Sequence, residues 1–208
     1  MTYRHGDALT KFNVSRETRE RIGAYVDLLG KWNKRINLVA PNTLAEVWTR
    51  HIADSAQIYQ YMPSGAQSWA DLGSGGGFPG AVVALMAAEK TPDLKMTLVE
   101  ADQRKATFLR SVARETGVPF RVIADRIENV PSLDADVVSA RALAPLDDLL
   151  GLVARHLREG GTALLPKGAS WRDERASALE HWTFDCETHP SKTDTQAVIL
   201  EIGDIKRV

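Results

Sequence analysis

Five glycines fall within the eight positions from Gly73 to Gly80 of the stretch WADLGSGGGFPG, Trp69 to Gly80. An acid, Asp71, stands just before them, and an apolar run begins at Ala81 just after. Glycine loses more backbone freedom on ordering than any other residue, so this density makes sense only where a chain turns tightly or approaches something closely. The β-like run Ser68 to Leu72 on one side and the apolar run on the other make the loop a strand–turn–helix junction. That junction commits the surrounding chain to an α/β unit.

The following residues keep the same rhythm. Further β-like runs are expected at Lys95 to Glu100, Pro119 to Ala124, Asp136 to Ala140 and Thr162 to Leu165. Amphipathic segments separate them. Asp102 to Thr116 carries Phe108, Leu109 and Val112 on one face and ends before Gly117, and Pro145 and Gly160 bracket another helix. Strands alternating with helices predict a parallel sheet covered on both faces. Two last β-like runs, Trp182 to Thr188 and Gln196 to Ile202, are joined by HPSKTDT, too short for a crossover helix. They predict an antiparallel pair at the end of the sheet, the layout of the class I S-adenosylmethionine methyltransferases by fold-level analogy.

Before residue 65 the pattern is helical. Ser15 can cap a helix bearing Ile22, Tyr25, Val26, Leu29 and Trp32, and Thr43 with Glu46 forms a capping box for a second helix through about Tyr61. The 208 residues therefore read as one domain, with a helical extension over 1–64 and a Rossmann-like core over 65–208. A lone cysteine, Cys186, rules out an intrachain disulfide, and five scattered histidines offer no metal-ligand spacing, so no metal is expected. The stretch MTYRHGDALTKF lacks the apolar core of a signal peptide, and no run approaches the ~20 apolar residues of a membrane span. A cytoplasmic location is the expectation. A net charge of −1 gives by itself no sign of a nucleic-acid partner.

The loop admits two registers. Gly75-Gly-Gly77-Phe-Pro-Gly80 matches the dinucleotide fingerprint G-x-G-x-x-G, with Glu100 twenty residues on. Asp71-Leu-Gly73-Ser-Gly75-Gly-Gly77 matches D-x-G-x-G-x-G, the adenosylmethionine pattern. Either places Glu100 at the tip of the second strand, where it can hold a ribose diol. Pro79 removes an N–H donor that a pyrophosphate would want, and Asp71 suits the positive groups of adenosylmethionine. Both favour the methyl donor. An NAD-dependent oxidoreductase is the alternative, yet no hydride-transfer acid and base such as Tyr-x-x-x-Lys accompanies the loop.

Together the segments KWNKRINLVAP, WTRHIADS, DLGSGGGFPG, LVEADQRKATFL and VVSARALAPL resemble the glucose-inhibited division protein B family, from about Leu28 to Gly168. Its most specific elements are R-H-x-x-D-S, G-x-P-G and S-x-R-A. The family comprises bacterial 16S ribosomal RNA methyltransferases acting on N7 of a guanine in the 530 loop. The resemblance implies adenosylmethionine as cofactor, adenosylhomocysteine as product, and 16S RNA or a small-subunit particle as partner. It implies donor contacts at Gly73, Phe78, Ile127, Glu128 and Arg141, to which the residues themselves add Asp71, Gly75 and Glu100. Where the family usually has Lys-Arg, this chain has Arg104-Lys105, which keeps both charges. Nothing is carried over from Trp171 onward.

Guanine N7 has a lone pair and no proton, so positioning rather than a general base is what such a reaction needs. No Ser/His/Asp or Cys/His set is evident, and Arg141 and His51 stand as the candidates for catalytic contacts. Arg141 can meet the donor carboxylate or an RNA phosphate. Arg50 and Asp54, at i and i+4, can equally form a surface ion pair. Asp125 and Glu128 are candidates for the adenine or amino-acid end of the donor, and Phe78 or Trp48 for stacking on a splayed-out guanine. Arg16, Arg19, Arg21, Lys31, Lys34 and Arg35 form one cationic group and Arg104, Lys105, Arg110 and Arg114 another. Each is either an RNA contact or a solvated helix face. A non-catalytic RNA-binding or assembly protein would be expected to have lost the loop or Glu100; both are present.

Overall fold

The computed structural model describes residues 8–208; residues 1–7, the start of the charged N-terminal stretch, lie outside the described residues. Seven strands form one sheet: β1 (Ser68–Leu72), β2 (Lys95–Val99), β3 (Arg121–Ile123), β4 (Ala135–Ser139), β5 (Leu157–Lys167), β6 (Trp182–Pro190) and β7 (Val198–Arg207). Their order is β3-β2-β1-β4-β5-β7-β6; the first five pair in parallel, while β7 runs antiparallel to both β5 and β6. The expected antiparallel pair thus closes the sheet, with its second strand inserted next to β5. Strand order reverses between β1 and β4, which opens a crevice at their carboxyl ends.

Side chains alternate across the sheet and build two apolar layers. Trp69, Met96, Leu98, Val137 and Leu164 face α3 (Gly80–Lys90) and α4 (Gln103–Thr116), while Ala70, Leu72, Val138, Ala163 and Leu165 face α5 (Leu146–His156). The first helix, α1 (Arg16–Asn33), starts as expected: the Ser15 hydroxyl accepts from Thr18 N at 3.1 Å. Ile22, Tyr25, Val26 and Leu29 of α1 are buried in the same layer as α3 and α4. For α4 the cap is Asp102, and Gly117 takes the left-handed conformation at φ 66° that ends a helix without Cβ strain.

Three expectations change. The segment after residue 41 is not one capped helix. It runs as a 3-10 stretch (Pro41–Glu46), a π-helical stretch (Trp48–Ala53), one α turn, α2 (Asp54–Ala56), and a second 3-10 stretch (Gln57–Tyr61). Thr43 caps nothing because its hydroxyl donates to Ala40 O at 2.8 Å and meets His51 Nε2 at 2.8 Å. The helix opened by Pro145 ends at His156 rather than at Gly160. Leu157 already pairs with Ala135, and Gly160, at φ 67°, lies inside β5 where the register against β4 shifts. An additional helix absent from the sequence-based expectation, α6 (Trp171–Ala178), precedes the hairpin.

Among the described residues, no helix is long and apolar enough to cross a membrane.

Candidate active site

The glycine loop is held from beneath. Asp71, at the end of β1, is fully buried; its Oδ2 accepts from Gly80 N at 3.1 Å and its Oδ1 from the Ser139 hydroxyl at 2.7 Å. Ser139 in turn accepts from the Trp69 indole at 2.8 Å. Burial raises the Asp71 carboxyl to about 6, against the hydrogen bonds and the Arg141 charge, which favour the ionised form. A Cβ on Gly80 would lie 2.6 Å from Asp71 Oδ2, so only glycine fits above this carboxylate. These bonds take the first N–H of α3, and Pro79 before it has none. The helix N-terminus is therefore closed to a pyrophosphate, which goes against the dinucleotide register.

From the other side Tyr25 of α1 donates its hydroxyl to Gly76 O. Burial holds this phenol well above its ordinary pKa, so it stays a donor. The space for its oxygen exists because Gly77, at φ 95°, has no Cβ, which would stand 2.8 Å from the phenol.

Above the loop lies a cavity of about 670 Å³ bounded by Gly73, Gly75, Phe78, Glu100, Ile127, Glu128 and Arg141. Seven of the nine donor-site candidates read from the sequence thus line one space, Asp71 and Asp125 being the two that do not. Asp71 lies beneath the loop and not in the cavity wall. Glu100, only 8% exposed, accepts from Gly75 N and Asp102 N, each at 2.8 Å, so it ties the loop to the tip of β2. Each of its oxygens retains a lone pair for a further donor. Asp125 does not line the cavity; it sits exposed, accepting from Arg126 N and Asn129 Nδ2. Buried His156 reaches Ile127 O at 3.2 Å and so steadies the wall that Ile127 forms.

Arg141, just past β4, is the most heavily held cation among the described residues. It donates to Asp54 Oδ2 at 3.2 Å and to His51 Nδ1 at 3.0 Å, and its guanidinium lies 4.9 Å from the Phe78 ring centre. The expected pair of Arg50 with Asp54 does not form. The π-helical turn instead aims both His51 and Asp54 at Arg141, and Arg50 stands 3.6 Å from Glu46. Because the Thr43 proton goes to Ala40 O, His51 carries its own proton on Nε2 and accepts at Nδ1. Burial first, then the charges of Arg141 and Arg50, lower its pKa to about 4. His51 also stacks on Phe78 at 5.0 Å, and Tyr25 lies 5.6 Å from the same ring. Phe78 is thus packed among these groups, and Trp48 is buried in the core; neither presents an open face for stacking a guanine.

Residues 18–199 match the family described as GidB, rRNA small subunit methyltransferase G. A protein of Ruegeria pomeroyi named ribosomal RNA small subunit methyltransferase G is 53% identical over 94% of this chain and 96% of its own length. One of the same name from Rhodospirillum centenum is 48% identical over 98% and 92%. The chain belongs to the GidB family.

Solved structures agree on the fold. A TehB-like SAM-dependent methyltransferase from Corynebacterium glutamicum superposes with a TM-score of 0.58 at 13% identity, covering 88% of this chain and 99% of that one. A ribosomal protein L11 methylase from Lactobacillus delbrueckii gives 0.56 at 17% identity, covering 73% and 76%. The GidB-family architecture here is the class I methyltransferase fold.

In this GidB-family chain the two cationic groups seen in the sequence meet in part. Lys31, Arg35 and Arg104 surround a groove of about 460 Å³ beside Trp32, and neighbouring Lys105 lines the loop cavity. Arg104 is at the same time paired with Asp102 at 3.0 Å; away from the groove Arg16 pairs with Glu20, Arg110 reaches Val122 O, and Arg19 and Arg21 are half-buried along α1. Sequence reasoning missed Ser139, although it is the serine of S-x-R-A. It also missed Tyr25 as a loop anchor, and Gln57 and Thr193 as partners of Asp54. Strand pairing further gathers Glu187, His189 and Glu201, whose ligand atoms lie within 4.8 Å of one another, with Tyr61 stacked on the imidazole. Residue spacing alone could not have revealed that group, since Glu201 comes from the opposite strand.

Proposed function

We propose that this chain transfers the methyl group of S-adenosylmethionine to N7 of a guanine in the 530 loop of 16S ribosomal RNA. It would act in the cytoplasm on the RNA or a small-subunit particle and release adenosylhomocysteine, without a metal. The observation that carries this is the loop cavity, with Glu100 at the tip of β2, Ile127 and Glu128 after β3, and Arg141 after β4. Glu100 would accept from the ribose hydroxyls with the lone pairs left over from its backbone bonds. Gly73 and Gly75 let the chain pass close to the donor, and Arg141 faces its amino-acid end.

Adenosylmethionine, held by Glu100, Gly73, Gly75 and Arg141, would supply an electrophilic methyl for the N7 lone pair, with adenosylhomocysteine as the leaving group. No proton moves, and no residue here needs to accept one. The chain's contribution is to position the two reactants and exclude water. Asp54 neutralises Arg141 beside a centre where positive charge is being handed on, and His51, held neutral, adds none.

Calorimetry tests the cofactor directly. Adenosylmethionine and adenosylhomocysteine should bind and NADH should give no heat; NADH binding without adenosylmethionine binding would reverse the assignment. Glu100→Gln should weaken donor binding about tenfold, the usual loss when a hydrogen bond to a charged group goes.

A further inference from the structure

A second cavity, of about 860 Å³, lies on the outer side of the turn Arg141–Pro145. It shares Arg141, Ala142, Leu143 and Ala144 with the loop cavity, so a single short turn separates two spaces. It is walled on one side by the loop of the C-terminal hairpin, Ser191 to Val198, for which no role was expected from the residues alone. This wall is tied down. Thr193 donates its hydroxyl to Asp54 Oδ1 at 2.8 Å, Gln57 Nε2 reaches Asp54 Oδ1 at 2.9 Å and Ser191 Oγ at 3.1 Å, and Lys192 N donates to Gln57 Oε1 at 2.8 Å. The other oxygen of Asp54 holds Arg141. One carboxylate therefore connects the hairpin to the residue at the boundary between the two cavities.

We infer that this outer cavity receives the target guanosine of the RNA, flipped out of its loop, and that Asp54 and Thr193 are positioning residues that fix its wall and Arg141 together. The inference rests on the methyl transfer proposed above. In-line displacement requires the nucleophile to approach the methyl from the side opposite sulfur, so the acceptor's space must adjoin the donor's. The outer cavity does so at Arg141–Ala144, and its volume is within the ~300–1,000 Å³ range of small-ligand sites. Its lining is mixed and polar: Arg50 lies 3.6 Å from Glu46, Lys167 is held by Ala144 O and Glu174, and Asp54 and Asp194 add carboxylates that can accept from a base. A base whose ring atom is the target must leave its stack to reach a recessed methyl group.

The test uses full-length protein and a 530-loop RNA carrying 6-thioguanosine at the target position, where sulfur stands in place of O6 beside N7. Near-ultraviolet cross-links should map to residues 141–145 or 191–198; cross-links confined to α1 and α4 would overturn the inference, whatever the variants do. Ala197→Trp, which fills the cavity, should lower kcat/KM for RNA by about 100-fold while leaving the Kd for adenosylmethionine within about twofold. Thr193→Val should lower kcat about tenfold with unchanged donor affinity, and Thr193→Ser should restore it. A Thr193→Val protein indistinguishable from wild type would remove the positioning role. Wild-type turnover by a folded Ala197→Trp protein would sink the acceptor assignment and leave the methyl transfer standing. Failure of the wild-type protein to methylate any ribosomal RNA would instead remove the reading beneath it.

Discussion

Asp71 and His51 are two titratable groups held away from their ordinary ranges, and they push stability in opposite directions. His51 has a folded pKa of about 4 against an ordinary 6.5, so between those values the unfolded chain binds more protons and stability falls as pH is lowered. Asp71 is raised from 3.8 to about 6, so the folded chain binds the extra proton there, and the stability it contributes at low pH is lost as pH rises through about 6. His51→Gln should therefore reduce, without abolishing, the fall in urea midpoint from pH 6.5 toward about 4, because burial lowers His156 in the same direction; an unchanged profile would contradict the assigned burial of the imidazole. Gly80→Ala should destabilise the fold by about 1–3 kcal/mol in urea unfolding, because its Cβ meets the Asp71 carboxylate at 2.6 Å. Asp71 also marks a limit of sequence reasoning. The pattern D-x-G-x-G-x-G reveals that the acid matters, but only the fold shows that Gly80 N and the Ser139 hydroxyl occupy its two oxygens.

Helix α1 and the glycine loop stand far apart in sequence, yet the Tyr25 hydroxyl reaches Gly76 O, so the N-terminal helix shapes the cavity floor. Tyr25→Phe should cost about 1 kcal/mol of stability and weaken adenosylmethionine binding; loss of stability with unchanged binding would make the contact merely structural. The strands at 68–72 and 95–99 were legible because alternation and bounding turns agree there. The region from Pro41 to Tyr61 was not. Its T-x-x-E signal is sound local chemistry, but the Thr43 hydroxyl is taken by Ala40 O and His51, and the chain widens into a π-helical turn that satisfies Arg141 instead. Tertiary demand from β4 thus overrode the local cap. Gly160 misled for a related reason: its positive φ serves a bulge in β5 rather than a helix end. The same physics hid the hairpin's part in the site, because Thr193 and Asp54 are brought together only by sheet closure.

The sheet's reversal between β1 and β4 places the loop cavity, Arg141 and the outer cavity along one edge, with the basic groove at Lys31, Arg35 and Arg104 nearby. A net charge of −1 conceals this gathering, since acids elsewhere offset it. If the groove binds RNA phosphates, replacing all three cations by alanine should lower RNA affinity and reduce the slope of log K against log salt by about 2. An unchanged slope would assign them to a solvated face. The architecture as a whole is built to bring a methyl donor and an unprotonated ring nitrogen together without acid or base. Mass spectrometry of 16S RNA from a strain lacking this protein, incubated with the purified chain and labelled adenosylmethionine, tests that most directly. The expected result is one labelled N7-methylguanosine within the 530-loop fragment; no incorporation, or label on another atom or fragment, would contradict it.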